Sequence, residues 1–365
     1  MPEESANGRD VAELSQQGYQ LLRERSYDEA IDRFETILEI EPDNSYALVG
    51  LGDIARKRGR HHDAVGFYQR CLEGDPDNAF ALFGLADSYR SLRKYHEALA
   101  IWERYLEHDN ENVTVLTRVA DAYRKVRRKQ RSRELYERVL ELEPDNPYAL
   151  IGLGHLHYDF REYEEALSSW KRMHEISGQS VDIRVLTSIG NCYRKLKEFR
   201  TGIPYFEQAL KREPDNFYAL FGLADCYRGL NDPEQSLTYW NRILEKDPEN
   251  RVILTRAADA HRSMGDLDEA EERYRAALEI GDDLYASLGL AIVARINGDE
   301  DEAFTILEQL RRREPDNHRV YVELATTHAQ AGSPEEAVRV LAEYKSSGGA
   351  NAYVDELIDR YRRQS

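Results

Sequence analysis

Apolar and polar positions along the chain follow the period of amphipathic helices, and the helices themselves recur. A small residue returns at Ala30, Ala64, Ala98, Ser132, Ala166, Gly202, Ser236, Ala270, Ala303 and Ala337, with steps of 33 to 36 residues and mostly 34. Twelve residues before each lies a second small slot: Gly18, Gly52, Ala86, Ala120, Gly154, Gly190, Ala224, Ala258, Ala291 and Ala325. Leucine leads the first helix at Leu14, Leu48, Leu82, Leu116, Leu150, Leu186, Leu220 and Leu254, and the apolar face continues at i, i+3, i+4. Four residues after the small slot of the second helix comes a large apolar residue: Phe34, Tyr68, Trp102, Tyr136, Trp170, Phe206, Trp240, Tyr274, Leu307 and Leu341. Small residues let two helices approach while the large ones fill the neighbouring gap. Each unit therefore predicts two helices, and Pro-Asp-Asn (Pro42, Pro76, Pro144, Pro214, Pro315) or Pro-Glu-Asn (Pro248) punctuates the units. Ser333-Pro334-Glu335-Glu336 and Asp232-Pro233-Glu234-Gln235 read as capping boxes. Pro204 predicts a kink or a late start in its helix.

A 34-residue helix–turn–helix with this order of Leu, Gly/Ala, Tyr, Ala, aromatic and Pro resembles the tetratricopeptide repeat (TPR) family. The resemblance covers ten units over residues 11–347. It implies an all-α fold, a right-handed α-solenoid superhelix of stacked antiparallel helix pairs. Residues 1–10 are polar and expected to be flexible. Residues 351–363, with Tyr353, Leu357 and Tyr361 on one face, are expected to form a C-terminal capping helix.

Repeats 2, 3, 5 and 7 open with an aromatic, Ala, Leu and then Gly two residues later, as in Phe80-Ala81-Leu82-Phe83-Gly84. Repeats 4, 6 and 8 instead read Val/Ile-Leu-Thr, and the three tryptophans fall only in repeats 3, 5 and 7. This two-repeat superperiod is either a trace of duplication or a recurring groove subsite. In the second reading Gly84 and Gly222 leave gaps beside Phe80, Phe83, Tyr218 and Phe221, faced by the additional arginines Arg118 and Arg256.

In proteins of this family the first helices line a concave groove that holds ligands. Transferred to this sequence, one groove slot holds Asp53, Asp87, Asp121, His155, Asn191, Asp225 and Asp259. Three residues on come Arg56, Arg90, Arg124, Tyr158, Arg194, Arg228 and Arg262. Asp and Arg at i, i+3 share a helix face. They form either a solvated ion-pair ladder or a row of donors and acceptors for an extended peptide. Tyr46, Phe80, Phe83, Tyr148, Tyr218 and Phe221 add aromatic anchors at the groove rim. The carboxylate clamp of one TPR subfamily needs Lys and Asn where this chain has Ser15 and Tyr19, so chaperone-tail binding is disfavoured.

Composition narrows the function. Acidic residues outnumber basic ones by 68 to 50, giving a net charge of −18, which disfavours nucleic acid as a partner. No apolar run approaches the ~20 residues of a membrane span. The opening residues have neither the basic nor the apolar region of a signal peptide, and Cys71, Cys192 and Cys226 form no disulfide framework, so a cytoplasmic location is expected. No nucleophile elbow, P-loop or zinc-binding HExxH occurs. His155 and His157 lie on different helix faces. Neither an enzymatic activity nor a cofactor nor a metal is expected. The sequence points to a protein–protein scaffold that holds an extended peptide; the alternative is a structural component that self-associates or joins a larger assembly.

Overall fold

The structure, a computed structural model, describes residues 3–364 as 21 α-helices and one short 3₁₀ turn, with no strand among the described residues. The chain divides into two compact units, residues 1–181 and 182–365. In the first unit the pairs are α1 (Glu3–Glu24) with α2 (Tyr27–Ile40), and α3 (Ser45–Lys57) with α4 (His61–Gly74). There follow α5 (Ala79–Ser91) with α6 (Tyr95–His108), and α7 (Val113–Lys125) with α8 (Lys129–Leu142). The unit ends with α9 (Pro147–Asp159), α10 (Tyr163–Ser177) and the 3₁₀ turn Gly178–Ser180. The second unit pairs α11 (Ile183–Lys195) with α12 (Phe199–Arg212), and α13 (Phe217–Gly229) with α14 (Pro233–Leu244). Next come α15 (Arg251–Met264) with α16 (Leu267–Ile280), and α17 (Leu284–Asn297) with α18 (Glu300–Arg313). The last are α19 (His318–Gln330), α20 (Pro334–Ser346) and α21 (Ala352–Arg362). Within each unit every helix packs on the next, and the first helices α1, α3 and α5, then α7 and α9, α11 and α13, and α15, α17 and α19 also pack on one another in turn. Each unit is thus a stack of antiparallel pairs, an α-solenoid.

The helix starts explain the Pro-Asp-Asn phrase. Asn44, Asn78, Asn112, Asn146, Asn216 and Asn250 each cap a first helix, accepting the N–H three residues on at 3.0–3.2 Å. The amide of each also donates to the acid three residues before it, as Asn78 does to Asp75 at 2.9 Å. Such a cap contributes about 1 kcal/mol. An arginine of the following second helix then bonds the loop carbonyl, Arg104 to Pro76 at 2.8 Å and Arg172 to Pro144 at 2.7 Å.

Rings and glycines fit one another. Tyr68 is fully buried between Gly52 of its own pair and Gly84 of the next; a Cβ at Gly84 would lie 2.2 Å from its Cζ. Phe34 fills the space between Gly18 and Gly50, and Phe206 that between Gly190 and Gly222. The small slots of the second helices also make contacts: Ser132 and Ser236 hydroxyls donate to the Ala120 and Ala224 carbonyls at 2.7 and 2.9 Å.

Three expectations are corrected. Ser333 makes no side-chain cap, whereas Asp232 accepts from the Gln235 N–H at 3.1 Å. Pro204 does not delay its helix: α12 starts at Phe199 and runs through it to Arg212. On α21 the buried face is Val354, Leu357, Ile358 and Tyr361, at i, i+3, i+4, i+7, while Tyr353 is half exposed. Residues 1 and 2 of the expected flexible N-terminus lie outside the described residues; α1 begins at Glu3.

Candidate functional site

The groove slots lie on the first helices, and their surroundings depend on which ring the second helix of the same repeat carries. In two repeats where that ring is tyrosine, its hydroxyl reaches the aspartate. Tyr68 donates to Asp53 at 2.7 Å and Tyr274 to Asp259 at 2.6 Å. The ion pairs at i, i+3 are also present: Asp53–Arg56 at 3.1 Å, Asp121–Arg124 at 2.7 Å and Asp259–Arg262 at 3.3 Å. Arg124 also reaches Asp159 at 2.5 Å, across to the next first helix.

Where the ring is tryptophan, no hydroxyl is available and the aspartate is held otherwise. Asp87, 6% exposed, accepts from Arg56 at 2.9 Å, from Arg90 at 2.9 Å and from Arg118. These arginines come from three successive repeats. The second unit repeats the arrangement: Asp225, also 6% exposed, accepts from Arg228 at 2.8 Å, Arg256 at 3.3 Å and Arg194. Arg194 additionally donates to Asn191 at 3.2 Å. Each socket thus sets one buried carboxylate among three guanidiniums, and in the first of them Arg56 is shared with Asp53. Burial alone would raise the Asp87 carboxyl, but Arg118, Arg90 and Arg56 outweigh it and hold it below the usual carboxylate range. Asp225 is lowered in the same way, against its burial, by Arg228, Arg194 and Arg256. Arg118 and Arg256 are pushed down by burial and by their like-charged neighbours, against the pull of the aspartate. Their guanidiniums lie over aromatic rings, Arg118 5.2 Å from the Phe83 centroid and Arg256 5.4 Å from that of Phe221. Buried Nε–H groups of Arg56 and Arg256 find no acceptor.

The expected gaps at Gly84 and Gly222 do not exist. Both glycines are buried, and Tyr68 and Phe206 of the preceding repeats occupy the space where a side chain would stand. Nor are Arg118 and Arg256 unengaged, since each binds the aspartate of its socket. The superperiod has a packing origin instead: Phe or Tyr of one repeat meets Gly50, Gly84, Gly152, Gly222 or Gly289 of the next, whereas Trp102, Trp170 and Trp240 precede Arg118, Ser188 and Arg256.

Around the sockets stand aromatics that the fold leaves in solvent. Tyr46, Phe80, Tyr148 and Tyr218 are 69%, 77%, 72% and 69% exposed. Phe83 and Phe221 are half-buried. An open concavity across α1, α3 and α5 is lined by Val11, Tyr19, Tyr46, Val49, Asp53 and Phe80. Tyr19 donates to the Tyr46 carbonyl at 2.9 Å. A second concavity in the other unit gathers Asp259, Arg262, Tyr285, Leu288, Arg319 and Tyr353. His157 is a core residue whose ring bonds Glu162 at 2.8 Å, and His155 stands edge-on to Trp170. All three cysteines are buried free thiols. Among the described residues no group of His, Cys, Asp or Glu is placed to hold a metal ion, and no helix is long and apolar enough to cross a membrane.

With this architecture established, the sequence comparison is direct. The Tetratricopeptide repeat family matches residues 16–79, 117–179, 188–251 and 255–308, with further repeats matched over 67–100 and 294–360. The chain belongs to the tetratricopeptide repeat family, whose membership supports a protein-interaction scaffold. No curated protein matches it in sequence. Among solved structures it is similar to yeast Tom70, at 15% identity over 98% of this chain and 96% of that one, with a TM-score of 0.44. YrrB, described as a TPR protein with an unusual peptide-binding site, is 19% identical over 51% of this chain and 95% of its own, with a TM-score of 0.45. Pseudomonas aeruginosa pilF is 16% identical over 60% of this chain and 98% of its own, with a TM-score of 0.49.

Proposed function

We propose that the chain is a non-enzymatic scaffold that holds an extended segment of another protein along the first-helix face of its repeats. The observation that carries this reading is the row of exposed aromatics. Phe80 and Tyr46 stand in solvent beside a concavity, although burying rings of this size would stabilise the fold by about 1.5–3 kcal/mol each. Exposed rings on a concave, rigid surface suit apolar anchors of a bound peptide. The partly exposed pairs Asp53–Arg56, Asp121–Arg124 and Asp259–Arg262 add charged groups that suit the polar side chains of that segment.

Selection of a displayed random-peptide library on the full chain tests this. Selected peptides are expected to bind in solution and to lose at least ~30-fold in affinity for a Tyr46→Ala, Phe80→Ala double variant, since each anchor contributes about 1–2 kcal/mol. Because both side chains are exposed, helix content and melting temperature should not change. Recovery of no binding peptide, or binding indifferent to both substitutions, rejects the groove; a salt-stable oligomer in light scattering would favour a self-assembling component instead.

A further inference from the structure

Stacking brings equivalent turns of successive repeats to one edge, and in repeats 2 to 4 of the first unit that edge is strongly basic. The turns joining first to second helices in repeats 2, 3 and 4 span residues 56–63, 90–97 and 124–131. They contain thirteen Lys/Arg and two acids. The corresponding stretches of repeats 8, 9 and 10 in the second unit, 262–269, 295–302 and 329–336, contain two basic residues and nine acids. At its two ends the basic strip pairs with the acidic turns that flank it: Arg58 of repeat 2 with Asp28 of repeat 1 at 2.8 Å, and Lys129 of repeat 4 with Glu162 of repeat 5. Lys57, Arg93, Lys94, Lys125 and Arg128 are exposed and enter no ion pair among the described residues.

These cations are not there for the turn's sake. The residue ending each first helix has positive φ, and Gly59, Gly265, Gly298 and Gly332 hold that position in repeats 2, 8, 9 and 10. Arg93 (φ 59°) and Arg127 (φ 62°) stand there in repeats 3 and 4, as Arg25, Arg161 and Lys197 do in repeats 1, 5 and 6 and Asn231 in repeat 7. A side chain in the left-handed region costs about 1 kcal/mol, so glycine would hold the turn better. The positive surface also continues into the groove, because Arg56, Arg90 and Arg124 begin these same stretches.

We propose that this edge of the first unit docks an acidic segment of another protein. Successive turns lie ~8–10 Å apart, so three turns span ~16–20 Å, the reach of about five or six extended residues. A short acidic stretch fits that strip. A long polyanion does not, because the loops at the opposite ends of these helices, 73–78, 107–112 and 141–146, hold nine acids and no Lys or Arg. This inference stands apart from the groove reading and survives its failure.

The test measures binding of fluorescein-labelled decaglutamate to the full chain by anisotropy, with decaglutamine, a ten-residue oligothymidylate and phosphatidylserine vesicles as competitors for the assignment. Decaglutamate is expected to bind, to weaken as salt rises, and to outbind all three other probes. Arg93→Gly with Arg127→Gly should weaken it about tenfold while the melting temperature stays the same or rises. Lys94→Glu with Arg128→Glu should abolish binding with helix content intact. Binding that matches decaglutamine, or is untouched by either double variant, overturns the proposal. So does preference for the oligonucleotide or the vesicles. A salt-sensitive dimer dissolved by the charge reversal overturns it too, since the occupant would then be the acidic loops of a second copy.

Discussion

Two joints in the first unit, one repeat apart, solve the same packing problem with different chemistry. At the first, Tyr68 lies against Gly84 and its hydroxyl turns back to Asp53. At the second, Trp102 is equally buried, has no hydroxyl to give, and leaves its indole N–H without a partner. The next repeat then carries Arg118 at the position of Gly84, and Arg118 lies over Phe83 and reaches back to Asp87. A tyrosine joint is therefore closed within one repeat and its neighbour, by packing and a neutral donor. The Trp102 joint, like that of Trp240, opens a buried aspartate to arginines from three repeats, whereas Trp170 has His155 in the aspartate slot. Asp87 ties repeats 2, 3 and 4 together, and Asp225 does the same for repeats 6, 7 and 8. A solenoid is coupled between nearest neighbours; in these sockets a single carboxylate of the middle repeat carries polar contacts to both neighbours.

The largest break in this comparison should come from Asp87→Asn. It leaves Arg90 and Arg118 without their counter-charge and Arg56 with Asp53 alone, and breaking such a pair in a fully buried site costs ~3–5 kcal/mol. The arginine side chains here are 24–35% exposed, so solvent screening brings the expectation to about 2–3 kcal/mol in urea unfolding. Asp53→Asn, at a tyrosine joint, should cost less than half of that. The pH dependence carries the same signature. Asp87 is held below its ordinary value, so its contribution is present above about pH 4 and is lost as acidification passes through the lower folded-state value. Asp87→Asn should lack that share of the acid sensitivity. Equal losses for the two variants, or unchanged acid titration, would erase the distinction between the joints.

Converting one joint into the other sharpens the comparison. Trp102→Tyr alone leaves a cavity, and Arg118→Gly alone removes a counter-charge from Asp87 and a helix former from α7. Together they recreate the pairing of Tyr68 with Gly84. The double variant should be more stable than the sum of the singles predicts, by about 1–2 kcal/mol in a double-mutant cycle. Strict additivity would show that ring and facing residue are independent choices, and that the alternation along the chain has no packing origin.

Much of this was legible in the sequence, and what was not has physical reasons. The 34-residue spacing of Ala30, Ala64 and Ala98 fixes helix pairs because only small residues permit such close crossing, and the family comparison agrees over most of the chain. Pro-Asp-Asn was visible as punctuation, but its action rests on Asn78 caught between a helix N–H and Asp75, a three-residue geometry that periodicity does not report. Gly84 and Gly222 misled for a related reason. A helical glycine signals missing volume, yet the sequence does not say from which side the volume is filled, and the filling rings come from 16 residues earlier on another helix. Asp87 and Arg90 were readable as an i, i+3 pair; the contributions of Arg56 and Arg118, each 31 residues from Asp87, depend on the stacking of repeats. The exposure of Tyr46 and Phe80 likewise follows only from three-dimensional packing, since their neighbours Ala47 and Ala81 are fully buried.

The smallest effect tests the tyrosine side of the comparison. In Tyr68→Phe the ring still fills the space between Gly52 and Gly84, so packing is retained and only the hydroxyl is lost. Asp53 then keeps Arg56 at 3.1 Å and, with its side chain 28% exposed, can replace the lost donor by water. The expected cost is about 1 kcal/mol, the net value of one hydrogen bond to a partly solvated acceptor. Burial is the main reason the Tyr68 hydroxyl is shifted well above the usual phenol range, with the nearby Asp53 charge adding to it, so the hydroxyl remains a donor at all pH values where the fold is stable. The loss should therefore be independent of pH between about 5 and 9, unlike that of Asp87→Asn. Arg56 also bridges to Asp87, and weakening its tether to Asp53 should not damage that socket. A loss from Tyr68→Phe as large as that from Asp87→Asn would mean the hydroxyl is part of the three-repeat tie, and the two kinds of joint would have to be treated as one network.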